Sequence, residues 1–546
     1  MSFAQAQESS QSAEENNNNK NSGVFSGSLM SNGNFFIRDA AIGAANTPQY
    51  EHQLFGAETW LNLNYSNWGF DFGLRFDLFN NSNLLNPQGS YTAKGIGNWF
   101  VKKKVENLGI TAGYIYDQIG SGIIFRAFEE RPLAIDNALF GIHLTYDLNK
   151  NWRAKAFTGQ QKQQFDSYAA VIKGASIDGF VTLGKDDAPI TCSPGFGVVN
   201  RTHDDETIQK IVSSITTYTP QDSIGAKYNT YAFSAYNTLT VGNFSWYVEG
   251  AYKTQEDFFD PYAKKLQWTG ETTDGKLVSR QGTIVYSSVS YAGHGLGVTL
   301  EGKRTENFTF RTNPFVTRNN GAINFLPPMT RQNSYRLTAR YQAATQELGE
   351  QAIQADVRYK INDQIGANVN FSNITDLNNQ LLYRELFTEV TYKKSKQWSA
   401  IGGIQLQIYN QRLYEVKPTV PLVRTIVPYA EFLYKFSKTN ALRVEAQYMF
   451  TRQDYGNWLY LSAEYSIAPH WIFTVLDMYN IVPNTKKLGA DAKKIHYPTV
   501  GVVYTTGANR FSLNYVKQVE GVVCTGGICR LEPAFSGVRL NVISTF

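Results

Sequence analysis

The chain has 546 residues, with 51 Lys and Arg against 46 Asp and Glu, and its net charge of +5 is too mild to mark a nucleic-acid binder. Aromatic residues reach 14% through 34 Phe, 33 Tyr and 9 Trp, far more than a disordered chain carries, while charged residues fall to 18%. No run approaches the ~18 apolar residues of a membrane helix, which excludes a helical membrane protein and leaves one large β-structure.

Residues 1–22 are polar, with the run Asn16-Asn17-Asn18-Asn19, and are expected to form a mobile tail. Within it Ala4-Gln5-Ala6 reads like the end of a secretion signal begun upstream, so 1–6 are taken as a signal remnant. From Phe25 onward the period is two. Phe70, Phe72, Leu74, Phe76 and Leu78 alternate with Asp71, Gly73, Arg75 and Asp77. Ile353 to Ile361, Leu442 to Phe450 and Leu459 to Ile467 repeat the pattern, with one apolar face and one polar face.

A soluble sandwich would alternate in the same way. Three features favour a membrane barrel instead. The runs are long enough for a tilted span, and short turns such as Ser66-Asn67, Glu106-Asn107, Gly242-Asn243 and Asn362-Asp363 alternate with long connections. Trp60, Trp68, Trp99, Trp152, Trp246, Trp398, Trp458 and Trp471 stand near strand ends, as an interfacial girdle requires. The fold expected is all-β: a transmembrane antiparallel up-and-down barrel over 23–546, of about 22 strands (range about 20–24), with long outer loops. Ala446 then faces lipid, and Gln447 faces a lumen where arginine should be tolerated.

The inner face should present Asp71, Arg75, Asp77, Arg153, Lys155, Asp356, Arg358, Glu431, Lys435, Arg443, Glu445, Glu464 and Arg539, joined by His143, Glu249, Glu301 and Glu389. Both signs occur, so the lumen reads as a solvated or salt-bridged conduit rather than a one-sign selective pore. A barrel this wide needs a plug. Strand pattern begins within the first 35 or so residues, which disfavours an N-terminal plug domain of the TonB-dependent kind, and the long segment 162–226 is the candidate. It holds a helix capped by Asp204 or Asp205, with Ile208, Ile211, Val212 and Ile215 on one face, to be buried against the lumen wall or a partner. Segments 254–282 and 304–333 could complete a cap.

Chemistry-bearing motifs are sparse. His203-Asp204-Asp205-Glu206 resembles a ligand set, but carboxylates belong at a helix start. No catalytic triad, metal site or cofactor motif is read, and the protein is taken as a non-enzyme. Cys524 and Cys529 flank Gly526-Gly527 and are expected to form a disulfide at an outer loop tip, leaving Cys192 as a free thiol. Removing that bond should leave barrel assembly nearly intact and alter binding at the outer face. At the end, Val538, Leu540 and Val542 alternate with Arg539 and Asn541 before Phe546, like the C-terminal strand that the barrel-assembly machinery reads.

Three segments, Asn324-Phe325-Leu326-Pro327-Pro328 with a following strand at Tyr335, the Cys524–Cys529 hairpin, and Ser536-Gly537-Val538-Arg539-Leu540-Asn541, together resemble an uncharacterised family of large Bacteroidota-type outer-membrane β-barrel proteins. The resemblance implies location and fold and transfers no catalytic residue. The function expected is a channel or transporter-type pore for a polar solute in the bacterial outer membrane. The alternative is a barrel subunit of a larger outer-membrane complex that docks through its outer loops. Expected partners are outer-membrane lipid, the barrel-assembly machinery and, on the alternative reading, other outer-membrane or surface proteins; nucleic acid is not among them.

Overall fold

The computed structural model describes residues 23–184, 189–316, 320–415, 417 and 419–546, and the expected tail at 1–22 lies outside them. The period-two runs form one antiparallel sheet of 25 strands. Val181–Leu183 pairs on one side only, and the other 24 strands close into a barrel. The seam joins the first strand, Val24–Phe36, to the last, Phe535–Thr545, with Asn32 opposite Asn541. Gly27 and Phe546 exchange backbone hydrogen bonds of 2.7 and 3.0 Å at its end.

The count exceeds the favoured 22 because Asp166–Gly179 and Ile190–Thr202 are wall strands. They lie inside the segment expected to be the plug.

Tight turns gather at the rim that holds both ends of the wall. Trp68-Gly69 has φ of 53° and 73°, and His294-Gly295 has 52° and 78°. Positive φ at both positions is the geometry that matches hairpin twist. The opposite rim carries the long connections, including 37–54, 116–138, 203–228, 307–348 and 519–534. In an outer-membrane barrel the tight turns are periplasmic and the long loops face outward.

Outward positions form an apolar band, with Leu78, Ile142, Leu300, Ile353, Val390, Leu461 and Val500 all exposed. Trp68, Trp246 and Trp471 stand exposed near the tight-turn rim, as a girdle would. Trp60 and Trp458 do not belong to it. Both share the inward parity of their strands and are buried, and Trp458 lies 4.9 Å from the guanidinium of Arg340 inside the barrel. Gln447 also points inward, yet it is fully packed and accepts a 2.7 Å hydrogen bond from Leu337 N–H. It therefore has no room for the arginine that the sequence pattern allowed.

Ala446→Arg should cost about 2–4 kcal/mol, because the charge would face hydrocarbon. Ser462→Arg should cost little, since its inner-wall neighbours are Glu445, directly opposite, and Glu464 on the same strand face. Equilibrium unfolding in lipid checks the pair, and equal costs would refute the assignment of faces.

Candidate functional site

The lumen is filled by the described residues of the connection 307–348, which are 307–316 and 320–348, between strands Leu296–Glu306 and Gly349–Lys360, together with the connection 116–138. The expectation that 162–226 plugs the barrel is thus corrected. Its two wall strands run antiparallel in register over Val171–Asp178, the short strand Val181–Leu183 extends the wall at the tight-turn rim, and residues 203–226 belong to an outer loop.

The plug is apolar where it meets wall positions that are apolar too. Phe308, Phe310, Ile323 and Leu326, with Ile119, Ile123 and Phe125, pack on Phe157, Ile172, Val199, Ala232, Ala251 and Ile284. Farther along, Met329, Leu337, Tyr341 and Ala343 pack on Tyr383, Tyr409, Val427, Met449 and Trp458. Each large side chain so buried contributes roughly 1.5–3 kcal/mol, so apolar burial supplies most of the hold.

Polar contacts set the register. The two plug segments join through Arg126 N–H to Ile323 O and Phe325 N–H to Gly122 O, both 2.9 Å. Wall amides donate to plug carbonyls: Gln405 Nε2 to Thr338 O at 2.9 Å, Gln407 Nε2 to Tyr341 O at 2.7 Å and Gln161 Nε2 to Ala322 O at 2.6 Å. Lys253 donates to Thr309 O and to Glu256, and Lys303 donates to Pro327 O while pairing with Glu350 at 2.6 Å. Arg201 reaches Glu256 and Arg311 O, each at 3.0 Å.

The residues singled out in the sequence lie at inward-parity positions, and the structure gathers them in two places. Arg75 binds Asp77 through two nitrogens at 2.6 and 2.8 Å. Arg443 lies 2.9 Å from Glu445 and 3.9 Å from Glu431, with Glu464 opposite it in register. The rest make local contacts. Asp71 accepts from Ser66 at 2.6 Å, Arg153 meets Asp147 at 2.6 Å, Lys155 meets Asp117 at 3.1 Å and Arg358 meets Asp356 at 2.8 Å. Arg539 lies 3.7 Å from Glu532, and Lys435 ends its strand exposed at the tight-turn rim. Val538, Leu540 and Val542 lie on the outward face of the closing strand, and Phe546 follows it, exposed.

Above the plug, among the outer loops, lies a cavity of about 730 Å³. One part of its lining is a closed network of three cations and three anions. Arg75 also binds Glu129 at 2.8 Å and Asp136 at 2.7 Å, Lys162 binds Asp136 at 2.5 Å, and Arg131 binds Glu129 at 2.8 Å. Lys417 pairs with Glu415 at 2.5 Å. Arg530 donates to two carbonyls, Leu84 O at 3.0 Å and Pro132 O at 3.2 Å, and Glu520 accepts from Tyr455 at 2.5 Å. Glu129, Asp136, Glu415, Glu520 and Arg530 escape the sequence reading because they lie outside the wall strands, in the outer connections and their short hairpins, where the alternation of the wall gives no signal. Lys162 was passed over because it fell inside the segment read as plug.

Cys524 and Cys529 are disulfide-bonded in the hairpin Gly521–Thr525 and Ile528–Glu532. Gly526 and Gly527 turn it at φ of 57° and 77°. The tip rests on the plug. Thr345 N–H donates to Gly527 O at 3.2 Å, and a Cβ at Gly527 would come within 2.7 Å of Pro328. Two motifs that stand ~200 residues apart in the sequence thus touch. Tyr335 is not on a strand as expected; it opens a helical turn closed by Ala339 N–H to Tyr335 O at 2.9 Å, with its ring against Tyr429. Cys192 is a half-buried free thiol on the wall.

The expected helix spans Asp205–Ile215, and Asp204 caps it by accepting from Thr207 N–H at 3.2 Å. Its apolar face meets Leu277 and Tyr218, above the barrel rather than in the lumen. Leu277 belongs to an extended hairpin of 23- and 22-residue strands, Phe244–Leu266 and Thr272–Gly293. His203, just before the cap, is pushed down to about 3 by burial and by nearby Arg201. An imidazole whose folded value lies below its unfolded one destabilises the structure as pH falls from ~6.5 toward 3. The protection factors of the Asp205–Ile215 amides, exchange rates referred to the intrinsic rate at each pH, should therefore fall on acidification through that window, and His203→Phe should flatten the dependence.

A family model described as a family of unknown function (DUF6029) matches residues 2–546. No curated protein matches the sequence. Among solved structures, the P pilus usher (PapC) translocation pore is similar at 9% identity over 96% of this chain and 99% of that one, with a TM-score of 0.42. The outer membrane transporter YddB from Escherichia coli is similar at 7% identity, 95% and 80% coverage and a TM-score of 0.39. The siderophore receptor PirA from Pseudomonas aeruginosa is similar at 8% identity, 97% and 81% coverage and a TM-score of 0.38. Likenesses this distant say nothing of activity.

Proposed function

The chain belongs to that family of unknown function, DUF6029, so its activity has to be read from its own residues, and we propose that it is a gated outer-membrane barrel that binds a polar solute above its plug and passes it through the lumen. The observation that carries this reading is the way the lumen is closed. Among the described residues the plug makes no ladder with the wall; it is held by apolar packing and by side-chain donors to its carbonyls, which can be exchanged one by one. A mixed-charge cavity sits directly above it, where a solute would arrive. Below, the inner wall carries Asp356, Arg358, Glu431, Arg443 and Glu464 toward the tight-turn rim, a polar lining of both signs. Val538, Leu540, Val542 and Phe546 supply the terminal signal that directs the chain to the assembly machinery. The reading involves no covalent chemistry.

A second reading rests on the extended hairpin. Its strands outlast their neighbours and expose Phe259, Tyr262 and Trp268, which suits a barrel subunit that docks a partner outside the membrane. Purification from native membranes separates the two readings, since a subunit brings its partner with it.

Planar-bilayer recording tests the first. The intact protein should be nearly closed, and replacing 309–346 by a short Gly-Ser linker should open a large, steady conductance. A barrel that stays silent after that replacement, while still running as a folded species on gels, would sink the transport reading.

A further inference from the structure

We propose that the outer cavity binds a short linear peptide with free amino and carboxylate ends, held by Glu520 and Arg530. The proposal names the solute class of the transport reading and rests on it. Ten charged side chains line the cavity. Eight of them neutralise one another within it, in the six-membered network and in the Lys417–Glu415 pair described above. Two remain, one of each sign. Arg530 is held in place by the Leu84 and Pro132 carbonyls through one nitrogen and, among the described residues, has no carboxylate within ion-pairing distance, so the rest of its guanidinium fork is open to an anion. Among the described residues Glu520 receives only the Tyr455 hydroxyl and has no cationic partner within that distance. A ligand that satisfies both is a zwitterion.

The hairpin fixes its length. Arg530 stands opposite Val523, and Glu520 precedes Val523 by three residues. Three residues of extended chain span about 10 Å, so the backbone positions that carry the two charges stand on the scale of a short extended peptide rather than of a single amino acid. Leu84, Phe165 and Leu531 of the same cavity offer an apolar lining for side chains. A free amino acid is too short to reach both ends. A neutral sugar carries neither charge.

Calorimetry on the intact protein in detergent micelles, with trileucine as the probe, tests this. Trileucine should bind, and N-acetylation or C-amidation should each weaken binding by about tenfold or more, the scale of losing one charge-assisted hydrogen-bonded contact. Arg530→Gln should remove the penalty for amidation and keep the penalty for acetylation, and Glu520→Gln should do the reverse. Both variants should still migrate as folded barrels. Absence of binding, smaller effects of end-blocking, or variants that change both penalties alike would overturn the proposal. The conductance of the plug-replaced barrel is measured without any peptide, so a failure here leaves the transport reading standing and a silent barrel there does not depend on this site.

Discussion

An irregular stretch of chain inside a membrane barrel must find partners for its backbone polar groups, because neither lipid nor a strand ladder supplies them. The rest of the structure follows from that constraint. The plug runs through the lumen with few bonds between its own backbone groups, and the wall compensates by aiming amides and ammonium groups at its carbonyls. Inward Gln and Lys residues at Gln161, Lys253, Lys303, Gln405, Gln407 and Gln447 are thus the complement of one particular loop path, and a shifted plug would leave them and its own carbonyls unpaired.

The buried charges fit the same account. Lys303 and Glu350 are at most 1% exposed, and moving such a pair out of water costs about as much as its attraction returns. Their net contribution to stability is therefore small, but breaking either one strands the other. That asymmetry makes ion pairs suited to selecting a single plug position among several that apolar packing alone would accept. Apolar burial holds the plug in, and charge decides where it rests.

How much of this could be read in the sequence depends on which face a residue occupies. Strands bounded by lipid on one side and water on the other alternate cleanly, which is why Phe70–Leu78 and Leu442–Phe450 are legible as strands. Where a strand backs the plug, the inner face is apolar as well, and the alternation fades. Ile172 and Val199 are such positions, and their strands were absorbed into a supposed plug. Trp60 and Trp458 misled for the same reason, because an aromatic near a strand end can serve lipid or plug equally. The capped helix Asp205–Ile215 was legible from its own residues, since capping and an apolar stripe are local signals. The cavity was not, because its lining comes from loops far apart in the chain that only the barrel brings together.

The seam has a consequence for the order in which the molecule is made. Asn32 and Asn541 share a hydrogen bond across 509 residues of chain. Closure at that point awaits the last strand, so the entropic cost of joining the ends is met late and in one step. The plug connection lies near the middle of the chain, with wall strands on both sides of it. A closed barrel offers little room for so large a loop to fold in afterwards, so the inward chain and the curving wall must come together while the sheet is still open. The wall of this protein closes around an interior already in place.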